Sequence, residues 1–208
     1  MKSVIQPGLE ARFGGRKVDA CHTDLGESEL TRPSLDAGCI QGNFALTAVE
    51  RHLPILESAT HTRLWRSEED TRRFAETLAE QPAIRDAFIE LHGDLGAGKT
   101  TLARHLLRAL GVQGRIKSPT YTVVEPHEAA GFPAWHFDFY RFHDPREWED
   151  AGLRDIFAGP GLKLAEWPEK AGGLLPRADL VVHIETQADD SRRVTLQAQT
   201  ARGRELIE

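Results

Sequence analysis

The sequence predicts an α/β fold in three layers, with a central mixed, mostly parallel sheet flanked by few helices. Three observations carry that expectation. Ala87 to His92 is a short apolar run broken by one acid, the pattern of a strand covered on both faces. A glycine-rich turn follows at once. After it, Leu102, Leu106 and Leu110 with Ala103 and Leu107 form one apolar helical stripe. Beyond residue 120, short β-rich runs outnumber helical ones.

The elements follow in chain order. Residues 1–57 hold both cysteines, Cys21 and Cys39, with scattered Gly and Pro and no sustained period. They are expected to be a disordered or weakly ordered N-terminal extension, with Phe44 to Leu56 as a helical alternative. The patterned domain is expected over 58–208. Thr62 to Trp65 reads as a short strand. Ser67 then offers an N-cap with Asp70 three positions on, Phe74, Ala75 and Leu78 give the helix its apolar face, and Pro82 stops it. The helix from Lys99 to about Leu110 ends where Gly111 suits a left-handed cap. Thr120 to Glu125 is β-rich. Trp135 to Phe142 alternates, with Trp135, Phe137 and Phe139 on one face and His136, Asp138 and Tyr140 on the other. Arg146 to Phe157 reads as a helix. Leu162 to Trp167, Leu180 to Glu185 and Val194 to Gln199 read as further strands.

Composition narrows the function. The chain has 208 residues, and 26 Lys plus Arg against 32 Asp plus Glu leave a net charge of −6. Nucleic-acid binding driven by the chain's own charge calls for a basic excess instead. No apolar run approaches a membrane span, and no secretory leader follows Met1, so a cytoplasmic protein without membrane contact is expected. Two cysteines do not make a disulfide framework.

The chemistry concentrates in Gly93-Asp94-Leu95-Gly96-Ala97-Gly98-Lys99-Thr100, which fits G-x-x-x-x-G-K-[ST] between a strand and a helix. Glycines let successive N–H groups turn toward phosphate oxygens, and the helix start adds its positive end. Lys99 supplies a mobile charge to the β- and γ-phosphates, and the Thr100 hydroxyl is placed to ligate Mg²⁺. A P-loop NTPase-like fold binding a nucleoside triphosphate follows. No Asn-Lys-x-Asp sequence occurs, which argues against a guanine-reading GTPase. Two acids end apolar strands where α/β sheets place their ligand crevice: Asp138 and Glu166. Either could orient an attacking water, and either could simply cap a loop or pair with an arginine such as Arg141. Ser118-Pro119-Thr120 lies between loop and acids, with two hydroxyls in reach of a phosphate or water. His92 and His136, inside apolar strands, are expected to be hydrogen-bonded core residues.

Four segments in this order resemble the TsaE family, also called YjeE: the glycine loop through Thr101, Lys117 to Thr122, His136-Phe137-Asp138-Phe139-Tyr140-Arg141, and Glu166-Trp167-Pro168. The resemblance covers roughly residues 62–200. It implies a Mg-dependent ATPase, weak alone, that acts with TsaB and TsaD in threonylcarbamoyladenosine modification of tRNA, reaching tRNA through that complex. It implies nucleotide contacts from Asp94, Gly96, Ala97, Gly98, Lys99, Thr100 and Thr101, and from Ser67 and Glu68. Lys99, Asp138 and Glu166 would be catalytic, with Thr100, Glu166 and Asp138 at the metal. Ser118, Pro119 and Thr120 would form a switch loop, and Tyr140, Arg141 and Trp167 would flank the site. Phe139 stands where the family commonly has Leu. A small-molecule kinase and a nucleotide-gated interaction module are the alternatives.

Overall fold

The computed structural model describes residues 59–142, 144 and 152–208. The expected extension at 1–57, its helical alternative at 44–56 and residues 146–151 of the expected 146–157 helix lie outside the described residues. The elements are β1 (Thr60–Trp65), α1 (Glu68–Glu80), β2 (Phe88–His92), α2 (Lys99–Ala109), β3 (Val124–Ala129), β4 (Phe132–Asp138), α3 (Leu153–Ala158), β5 (Leu162–Glu166), β6 (Leu180–Thr186), β7 (Arg192–Ala198) and α4 (Ala201–Glu205). Short 3₁₀ turns occupy Pro82–Asp86 and Pro168–Ala171.

One seven-stranded sheet runs in the order β1-β7-β6-β2-β5-β4-β3. The central strands β6, β2, β5 and β4 pair in parallel. The outer pairings, β1 with β7, β7 with β6 and β4 with β3, are antiparallel. The sheet is therefore mixed, with its parallel half at the centre, where both faces are covered. On one face, Ile89, Leu91, Leu164, Val182 and Ile184 pack with Phe74 and Leu78 of α1 and with Leu102 and Leu106 of α2. On the other, Phe88, Ala165 and Val181 pack with Phe137, Phe139, Phe142 and Leu153. Three layers result, as the apolar runs require.

The helix termini follow the sequence signals. The Asp70 carboxylate accepts the Arg66 N–H at 2.8 Å and the Ser67 N–H at 3.1 Å, closing the start of α1. The Arg66 N–H bond, aided by that of Ser67, holds the Asp70 carboxyl below the ordinary aspartate range. Gly111, at φ 90°, ends the α2 turn in the left-handed region.

Two strands differ most from expectation. The run Thr120 to Glu125 pairs only from Val124, because the Pro119 carbonyl takes the N–H of Thr122 at 3.0 Å and of Val123 at 2.7 Å. That turn leaves Val123 at φ 65°. Tertiary turn geometry here overrides β-branched propensity. The run Trp135 to Phe142 starts earlier, at Phe132, and stops at Asp138, whose Oδ1 accepts the Tyr140 N–H at 3.0 Å. No helix among the described residues is long and apolar enough to cross a membrane.

Candidate active site

Neighbouring parallel strands end in acids. Asp138 closes β4, Glu166 closes β5, and they stand opposite each other in the ladder. Asp138 is 3% exposed and Glu166 2%, a placement that costs free energy unless donors meet the oxygens. Donors meet each one. The Thr100 hydroxyl donates to Glu166 Oε2 at 2.8 Å, tying the first turn of α2 to the end of β5. His136 Nε2 lies 2.8 Å from Glu166 Oε1. His136 Nδ1 is buried with no hydrogen-bond partner among the described residues. The fitting tautomer carries its proton on Nε2 and donates it to Glu166, leaving only a lone pair at Nδ1. Asp138 Oδ2 accepts the Thr120 hydroxyl at 2.6 Å and the Ser118 hydroxyl as well.

The loop between β2 and α2 supplies the other wall. Gly96 lies at φ 83° and Gly98 at φ 113°, conformations that favour glycine. A Cβ at either position would meet nothing within 4 Å, so it would project into open space. Lys99 is 4% exposed. Its Nζ donates to the Gly93 carbonyl at 2.5 Å and the Asp94 carbonyl at 2.9 Å, and sits 3.9 Å from the centroid of the Trp167 ring. Burial pulls the Lys99 pKa below its ordinary value, while Glu166, Glu169, Asp138 and Asp94 push it back up. Trp167, at φ 57°, leaves β5 in a left-handed turn, and Tyr140 packs on it with ring centroids 5.1 Å apart.

Two cavities flank the loop. One of about 350 Å³ is lined by Gly96, Gly98, Lys99, Thr100, Thr101, Ser118, Thr120, Asp138, Tyr140, Glu166 and Trp167, with Leu95 at its lip. The other, about 250 Å³, is lined by Ser67 and Glu68 at the start of α1, by Gly96, Ala97, Gly98 and Thr101, and by Arg66, Asp190 and Arg192. Three of the expected residues line neither. Asp94 contributes its backbone carbonyl to Lys99. Pro119 shapes the turn before β3. Arg141 lies over the ring of the exposed Tyr121, 4.5 Å from its centroid, and makes no pair with Asp138.

The residue types fit a phosphate tail and a hard divalent cation. Backbone amides without Cβ obstruction, a helix start and one ammonium suit phosphate oxygens. One hydroxyl and two carboxylates are the oxygen donors Mg²⁺ takes alongside phosphate and water. Among the described residues no group of three His, Cys, Asp or Glu side chains could hold a metal ion by itself. An ion here would complete its shell from the ligand.

A family model described as threonylcarbamoyl adenosine biosynthesis protein TsaE matches residues 65–194. The chain belongs to the TsaE family. It is 47% identical over 136 residues to the tRNA threonylcarbamoyladenosine biosynthesis protein TsaE of Haemophilus influenzae, a match spanning 65% of this chain and 85% of that one. To the TsaE of Bacillus subtilis it is 36% identical over 136 residues, spanning 64% of this chain and 84% of the relative. The solved structure of Bacillus subtilis YdiB superposes with a TM-score of 0.60 at 28% identity, covering 72% of this chain and 92% of that one. The family ties this TsaE chain to threonylcarbamoyladenosine biosynthesis.

Two residues of this TsaE site escaped the sequence reading. His136 is a core residue as expected, but its partner is the Glu166 carboxylate. Its position two residues before Asp138 on an alternating strand carried that information. Arg192, whose Nε donates to the Ala97 carbonyl at 3.1 Å, comes from β7 and had no local signal.

Proposed function

We propose that the chain is the ATP-binding and ATP-hydrolysing subunit of tRNA threonylcarbamoyladenosine synthesis, Mg-dependent and weak alone. It works in the cytoplasm with TsaB and TsaD homologues. The nucleotide-handling domain is residues 58–208, and tRNA is reached through the complex, in keeping with the net charge of −6. The observation that carries this reading is the convergence of Thr100, Glu166 and Asp138 beside the glycine loop. Phosphoryl transfer to water needs positioning and charge stabilisation more than covalent chemistry. Bound Mg²⁺ would offset charge developing on the γ-phosphate oxygens. Thr100, Glu166 and Asp138 would hold that ion, and His136 would keep the Glu166 carboxylate aimed. The loop amides from Gly96 to Thr101 and the Lys99 ammonium would bind the phosphates. The smaller cavity, with Ser67 and Glu68, would take the nucleoside.

Asp138 has a second task in this reading. Its Oδ2 gathers the Ser118 and Thr120 hydroxyls, so the switch loop and the carboxylate move together. Asp138→Asn replaces an acceptor with a donor facing two hydroxyls. Hydrolysis is expected to fall about tenfold or more with MgADP affinity within about threefold, read by phosphate release and calorimetry. The test of the whole reading is phosphate release from MgATP with no acceptor present, by the chain alone and with TsaB and TsaD. The expected result is slow release that the partners accelerate. An equally fast isolated chain removes the partner dependence, and ADP formed only with a metabolite acceptor, without free phosphate, favours a kinase.

A further inference from the structure

Arg192 is the first residue of β7, paired with Trp65 of β1 on one side and Thr186 of β6 on the other. The hairpin joining β6 to β7 is a tightly bonded turn. The Gln187 N–H bonds to the Ser191 carbonyl at 2.8 Å, and the Asp190 N–H bonds to the Gln187 carbonyl at 3.1 Å. Ser191 donates to the Asp189 carboxylate through both N–H, at 3.1 Å, and hydroxyl, at 2.6 Å. Asp190 takes φ 61°. Its carbonyl accepts from Arg192 Nη1, which holds the guanidinium close to the hairpin. From that anchored position Nε reaches across to the Ala97 carbonyl at 3.1 Å, the one link in this set between hairpin and glycine loop.

The consequence follows from the planar trans peptide, in which a carbonyl and the next residue's N–H point in opposite directions. A carbonyl of Ala97 held on Arg192 turns the Gly98 N–H away from it. Gly98, at φ 113°, has no side chain to restrict that peptide, so an external restraint is what selects its orientation.

We propose that Arg192 is a positioning residue for the nucleotide: its Nε–H bond to the Ala97 carbonyl fixes the peptide whose other end presents the Gly98 N–H to phosphate. This rests on the nucleotide reading above. The brace acts on bound nucleotide and transition state alike, so its loss weakens binding and leaves saturated turnover nearly unchanged.

The side chains available separate a hydrogen bond from a charge. In Arg192→Gln the amide nitrogen stands where Nε stands, without charge. Arg192→Lys keeps the charge but places a methylene there. Arg192→Met keeps the shape and has neither. With MgADP followed by titration calorimetry in the full chain, Gln is expected to bind within about twofold of the parent and Met about tenfold more weakly. Lys is expected to follow Met. Saturated phosphate release is expected within about twofold throughout, and the unfolding temperature without nucleotide is expected to track neither series. If Lys binds like the parent and Gln like Met, the charge acts on the ligand directly and the brace is overturned. Equal binding by all four overturns it as well. A parent chain that gives no heat with MgADP removes the nucleotide reading itself, a distinct outcome. If Met does not fold, Gln against Lys decides the same question.

Discussion

Glu166→Ala is expected to lower Mg-dependent phosphate release by about 10²–10³-fold, the cost of losing one preorganised charge-handling group. The carboxylate is shared between the Thr100 hydroxyl at 2.8 Å and His136 Nε2 at 2.8 Å, so its removal releases both partners at once. It also strands the His136 donor in a fully buried position, at roughly 1–3 kcal/mol of folding stability. Glu166→Gln separates the two effects. It keeps the shape and one acceptor oxygen, so it should restore most of the stability while hydrolysis stays low. Nucleotide affinity measured with a chelator present should be nearly equal in parent, Ala and Gln variants. An Ala variant that hydrolyses MgATP at the parental rate removes Glu166 from the chemistry.

Gly93→Ala is expected to destabilise the fold by about 3–5 kcal/mol, through steric overlap and a strained backbone together. Gly93 lies at φ 137°, and a Cβ there would overlap the Ile184 carbonyl of β6 and sit 3.2 Å from the Ala97 Cβ. The Ile184 carbonyl cannot yield, since Ile184 is held in the central sheet by its pairing with β7. A drop in the unfolding temperature of roughly 10 °C, by scanning calorimetry, is the corresponding readout. Gly96→Ala is the contrast. Its Cβ meets nothing within 4 Å, so folding should be disturbed far less, while a methyl added to the phosphate-binding loop is expected to weaken MgADP binding. Equal stability losses at both positions would contradict the division between the root of the loop and its ligand face.

The glycine loop and the two acids were legible because each is a local statement. One is a contiguous segment between a strand and a helix, and the others are acids ending apolar strands, where burial demands a partner. Their meeting was not local. Asp138 and Glu166 lie opposite each other only because β4 and β5 pair in parallel. Arg192 reaches Ala97 across 95 positions of chain, so no window of sequence contains it. The start of β3 was misplaced for another reason: Tyr121, Thr122 and Val123 favour strands, but the Pro119 carbonyl captures the N–H groups of Thr122 and Val123 in a turn. The closing helix α4 was missed because five residues carry almost no period. Its marker is Thr200, whose hydroxyl accepts the Gly203 N–H at 3.1 Å.

The antiparallel flanks of the sheet bear on solubility. The outermost strand β3 has Pro126 and the acids Glu125 and Glu128 within its six residues, so one donor is missing from the rim and like charges line it. The opposite rim, β1, carries Arg63 among side chains exposed along nearly its whole length. Such margins resist templating a foreign strand. Edge-to-edge pairing between copies of the chain is thereby disfavoured at both rims.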